Sequence, residues 1–103
     1  MGFYELLESV RARPAMYFGV KSFRDFHSWL AGYQYARFEA GTPPTEEEKE
    51  FAGFDDFIQE RFEWHDVGGW AGKIAYYNRH DSNALDEFFK LLDEFKENRR
   101  TER

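Results

Sequence analysis

A chain of 103 residues has the length of one domain, and this one is 42% hydrophobic, 20% aromatic and 33% charged, with a net charge of −6. Twelve Phe, six Tyr and three Trp exclude a disordered tail, and the lack of cysteine excludes disulfides and thiolate metal sites. No run approaches the ~20 apolar residues of a membrane span, and MGFYELLESV is acidic where a secretory leader is basic, so the expected compartment is the cytoplasm.

Phe3, Leu6, Leu7 and Val10 recur at helical spacing and predict a helix over residues 2–11, stopped ahead of Pro14 because the residue before a proline is driven out of the α region. RPAMYFG then reads as a joint: Pro14 ends one helix, Gly19 permits a turn, and Ser22 with Asp25 opens the next in the manner of a capping box. Phe26, Trp29, Leu30 and Tyr33 carry that helix over 23–39, and Gly41 followed by Pro43-Pro44 stops it. Gly32 inside it costs helix stability, which predicts a backbone or a large ring packed closely there.

Thr45 and Glu48 form a second capping box for a helix bearing Phe51, Phe54, Phe57, Ile58 and Phe62, with Gly53 as a point of kinking or division. WHDVGGW interrupts the pattern as a turn. Trp70, Ile74 and Tyr77 then fit a helix, although KIAYY at 73–77 also fits a strand. Asp81 or Ser82 can cap a last helix with Leu85, Phe88, Phe89, Leu92 and Phe95 on one face. The expected fold is all-α, a compact single-domain bundle of four to five helices over residues 1–97, with 98–103 as a frayed tail.

Chemistry is sparse. His27, His65 and His80 form no HxxxH or HExxH pair, and His65-Asp66 and His80-Asp81 are neighbours whose side chains point apart in regular structure. Ser9, Ser22, Ser28 and Ser82 lie in no GxSxG-like elbow. No catalytic residue, metal ligand or cofactor is therefore predicted. Charge is more informative: between Glu46 and Asp66 nine acidic residues stand against Lys49 and Arg61, a local net of −7 in a chain whose remainder sums to +1. Arg11, Arg13, Lys21 and Arg24 are too scattered to make the basic stripe that nucleic acid requires.

VRARPAMYFG is similar to the VRKRPGMYIG stretch of gyrase-type ATPases, and Asp81 to Glu87 resembles the Asn-containing helix with which those enzymes hold magnesium and ATP. The resemblance is local: in that family the Asn helix follows closely, whereas here three predicted helices intervene, and the later Asp-x-Gly and glycine-rich lid motifs are missing. Over most of its length the chain instead resembles small bacterial proteins with RPxMYxG, a serine-capped helix ending in GYxxA, and a DEFFxLLDEF-like helix. Here these are Arg13 to Gly19, Ser22 to Ala36 and Asp86 to Phe95. Small acidic proteins of that kind resemble immunity, antitoxin-like or phage-encoded inhibitors.

The expected work is therefore non-catalytic binding of a basic protein partner, with neither nucleic acid nor membrane, through Glu46, Glu47, Glu50, Asp55, Asp56, Glu60 and Glu63. Two loops offer further candidates, Arg13, Met16 and Tyr17 in the first and Trp64, His65, Asp66 and Trp70 in the second. Arg13 is expected to pair with a carboxylate between Glu46 and Glu63 or to stack on Tyr17. The alternative is a small-ligand site or enzyme built from His65-Asp66 and Arg13, and a third reading is a homodimer that uses leftover aromatics.

Overall fold

The computed structural model describes residues 2–66 and 68–101. Among them the chain runs through α1 (Phe3–Ala12), α2 (Pro14–Phe18), α3 (Phe23–Glu39), α4 (Glu46–Phe51), α5 (Phe54–Phe62), α6 (Trp70–Tyr76) and α7 (Asp81–Thr101), with no strand. KIAYY is thus helical. A radius of gyration of 13.7 Å matches the roughly 13 Å expected of one folded domain this long.

Two local features raise the number of helical segments above the expected four to five. Pro14 does not merely stop α1. It occupies the first position of α2, where its missing N–H costs nothing, and Gly19 closes that short helix at φ +84°. Gly53 divides the acidic helix into α4 and α5, and the Arg99 guanidinium lies where a side chain at Gly53 would project. At the other end, α7 continues through Thr101, so residues 98–101 of the tail predicted to fray prolong the helix, with Arg100 3.6 Å from Glu97, and residues 102 and 103 lie outside the described residues.

α3 matches its predicted span, and its ends show why. The Ser22 hydroxyl accepts the Asp25 N–H at 3.1 Å. Asp81 is the first residue of α7, yet its carboxylate accepts the Arg24 N–H at 3.1 Å and so caps α3 rather than its own helix. At the C-terminus Gly41 takes φ +71°, and its N–H and that of Thr42 bond the Phe38 and Arg37 carbonyls, a Schellman closure.

α7 runs through the middle of the core. Phe88 packs on Phe26, Trp70 and Phe54 at centroid distances of 4.8, 5.2 and 5.5 Å, and Phe95 on Phe54 at 5.5 Å. α1 adds Phe3, Leu7 and Val10, α5 adds Ile58 and α6 adds Ile74, all buried. Each such side chain contributes about 1.5–3 kcal/mol on leaving water. Only the first half of α3 joins them. After Leu30 every residue to Ala40 is exposed except the half-buried Tyr33 and Arg37. Nothing lies within 4 Å of a Cβ built at Gly32, so the packing expected there is absent, because this part of the helix projects beyond the core.

Candidate functional site

The acidic residues of α4 and α5 fall into two groups. Glu47 accepts the Tyr4 N–H at 2.9 Å, capping α1 from outside, and Glu50 accepts the Tyr4 hydroxyl at 2.9 Å. Burial of Tyr4, reinforced by Glu50, raises the phenol's pKa. Glu48 grips Arg37 at 2.8 and 2.7 Å and ties α4 to the end of α3. Among the described residues Glu46 pairs only with its own helix's Lys49, and half-buried Asp55 accepts from Gln59 at 3.0 Å. Much of the acidic face thus serves the fold. The second group is Asp56 and Glu60, four residues apart on the exposed side of α5, and exposed Glu63, which closes that helix at φ +51°; no ion pair holds any of the three among the described residues. Asp56 and Glu60 also line an open groove of about 340 Å³ with Phe57, Phe95, Asn98 and Arg99.

That stripe leads to Trp64. The segment after α5 is organised by Lys73, whose side chain is 1% exposed although lysine is almost never buried without a partner. Its ammonium donates to Asp66 Oδ1 at 2.9 Å and to the Gly68 carbonyl, and stands 5.5 Å from the centre of the Trp64 ring. Asp66 also accepts the Gly68 N–H at 2.9 Å. The Lys73 hydrogen bond, then that N–H, then the Trp64 side chain outweigh desolvation and hold the Asp66 carboxyl below its usual value. His65 is exposed. Val67, part of the predicted turn, lies outside the described residues.

Around Trp64 three rings meet at near right angles. Trp64 and Tyr76 are 5.2 Å apart, Tyr76 and Tyr77 5.2 Å, and Trp64 and Tyr77 6.2 Å, while Phe62 stacks under Tyr77 at 5.0 Å. Tyr76 is 74% exposed and Tyr77 55%. Exposed large rings packed on the two neighbours of Glu63, which has no ion pair among the described residues, form a surface suited to lysine and arginine, which gain from both ring faces and carboxylates. No protein-family model, no curated protein and no solved structure matches this chain.

The remaining sequence candidates are scattered. Trp70 is half-buried and packs on the core rings Phe88, Phe54 and Phe23, whereas Trp64, equally half-buried, packs on the exposed Tyr76 and Tyr77. Tyr17 packs edge-on against Trp29 at 5.7 Å, whereas Met16 is 69% exposed. Arg13 is exposed and makes no ion pair or ring contact among the described residues, so its expected pairing is absent; its backbone joins α1 to α2 instead. No contact links Arg13 to the His65-Asp66 segment among those residues. Nor do three His, Cys, Asp or Glu side chains converge there as a cation site. Tyr76 and Lys73 were not singled out from the sequence, and Tyr77 only as part of a helical face with Trp70 and Ile74, not as a site residue. The signal was a pair of tyrosines one turn past a lysine that shares the apolar face of Trp70, Ile74 and Tyr77.

Proposed function

We propose that this chain is a non-catalytic protein-binding module that docks a basic partner through Asp56 and Glu60 on α5 and Glu63 at its end, together with Trp64, Tyr76 and Tyr77. The observation that carries the reading is the exposure of Tyr76 and Tyr77, 74% and 55%, packed on Trp64 and Phe62, the two residues that flank Glu63, a carboxylate with no ion pair among the described residues. Tyr and Trp are enriched at binding hot spots because they bury much area at little entropic cost, and the acidic stripe would steer a cationic partner toward them. Blocking a basic toxin or defence enzyme in the cytoplasm, as immunity, antitoxin-like or phage-encoded inhibitors do, suits such a surface. No helix among the described residues is long and apolar enough to cross a membrane.

The test is affinity capture from source-cell lysate on three baits: the native chain, Asp56→Lys with Glu60→Lys and Glu63→Lys, and Tyr76→Ala with Tyr77→Ala. A single basic protein held by the native chain, released by moderate salt and lost from both variants is the expected result. Retention by either variant, or capture of an acidic protein, overturns the reading. For the captured protein, the double tyrosine variant should weaken binding about 30-fold or more, the scale of one or two hot-spot rings.

A further inference from the structure

α3 presents an exposed seam on the side away from the core. Ser28, Ala31, Tyr35 and Phe38 stand at i, i+3, i+7 and i+10, the a/d spacing of paired helices, and all four are exposed, Tyr35 at 63% and Phe38 at 78%. The seam is graded along its length. Its first half is small, Ser28 and Ala31 with the open Gly32 beside them, and its second half is two rings. Tyr35 is held in place by its own helix, its hydroxyl donating to Glu39 at 2.9 Å.

A helix face that is small at one end and large at the other complements itself under an antiparallel two-fold axis. Residue 31 then lies opposite 35 and residue 28 opposite 38, so each copy's rings cover the other's small residues. Charge favours the same occupant. No charged residue occurs from Phe26 to Ala36 in a chain that is 33% charged with net charge −6, so two copies meet here with less repulsion than at a charged face. The ends of the seam carry opposite signs, exposed Arg24, whose guanidinium has no ion pair among the described residues, and Glu39. Antiparallel pairing brings each Arg24 toward the other copy's Glu39.

We propose that the outer face of α3 is a homodimer interface with this antiparallel register. The 17 residues of α3 span about 25 Å, too short a seam for the ~1,600 Å² of a standard interface, so the dimer is reversible, with a dissociation constant on the order of 10 µM. The residues are separate from those of α5 and α6, so this inference and the basic-partner reading stand or fall independently.

Sedimentation equilibrium from about 1 to 300 µM tests it, a range that brackets that constant. The native chain should pass from monomer to dimer. Phe38→Glu, an exposed substitution checked for unchanged helicity, should raise the dissociation constant at least about 30-fold. Arg24→Glu should weaken the dimer about threefold, and adding Glu39→Arg should restore it. Tyr77→Glu, on the other surface, should leave it unchanged. A native chain that stays monomeric throughout overturns the proposal, as does a dimer indifferent to Phe38→Glu or one broken by Tyr77→Glu. Failure of the charge swap to restore pairing overturns the antiparallel register.

Discussion

Two groups of packed rings occupy opposite situations in this molecule. Around Phe88 the rings of Phe26, Trp70 and Phe54 lie 4.8 to 5.5 Å away and the Phe members are fully buried. Around Trp64 the rings of Tyr76 and Tyr77 lie 5.2 and 6.2 Å away, edge-to-face as Phe54 is to Phe88, yet Tyr76 is 74% exposed. Ring geometry alone therefore does not distinguish a core from a docking surface. The chemistry does: the inner group is mostly phenylalanine, which brings no polar atom into the interior, and the outer group has two tyrosine hydroxyls that keep their hydration until a partner arrives.

Paired truncations should break this comparison most sharply. Phe88→Ala removes a ring packed against α3, α5 and α6 together and should cost about 3–5 kcal/mol, a large part of a domain's 5–15. Tyr76→Ala, which empties no cavity, should change stability by less than about 0.5 kcal/mol. Urea unfolding of the two variants measures both. Similar losses would mean that the outer rings are structural and would remove the basis for reading them as a binding surface.

Legibility in the sequence followed the range of the forces involved. α3 was readable in both bounds because its signals are local: Ser22 at one end, Gly41 and the prolines at the other. The helical stripe of α7 was readable for the same reason. The division of labour among the carboxylates was not, since Glu47 and Glu50 are claimed by Tyr4 from 43 and 46 residues away and Asp81 caps a helix 57 residues earlier. Nor could spacing alone separate Trp64 from Trp70. They flank the same glycines, and only the position of α6 against α7 sends one inward and leaves the other beside Tyr76. Gly32 misled because a helical glycine implies a close neighbour only when the helix is covered.

Lys73 joins the two groups, since it is buried like the inner rings but serves the outer ones. Lys73→Ala leaves a cavity under Trp64 and frees Asp66 and the Gly68 carbonyl, which should cost about 1–3 kcal/mol. Lys73→Met keeps the volume and removes the buried charge, and the partner it leaves, Asp66, is 47% exposed and is solvated by water rather than left as an unpaired buried charge. The second variant should therefore keep global stability within about 1 kcal/mol while hydrogen exchange at the Gly68 amide accelerates. Equal protection at Gly68 in the native and Met variants would show that Lys73 fills space and does not hold the segment.

The smallest effect concerns protons. Lys73 holds the Asp66 carboxyl below its usual value, so the folded state releases that proton more readily than the unfolded chain. A depressed folded value means that the stabilisation is complete above the unfolded value of about 3.9 and is lost as pH falls through the lower, folded one. Asp66 is 47% exposed, so solvent screens the pair and the change in overall stability should be slight. It should still be visible locally, because the Gly68 N–H donates to Asp66 Oδ1 and its proton chemical shift reports the carboxylate directly. In an NMR titration the Gly68 amide should move with a midpoint below about 3.9 in the native chain, and Lys73→Met should raise that midpoint toward the ordinary value. A midpoint unmoved by Lys73→Met would assign the depression to the Gly68 N–H and the Trp64 indole, and the ring surface would then be organised by its own hydrogen bonds rather than by the lysine beneath it.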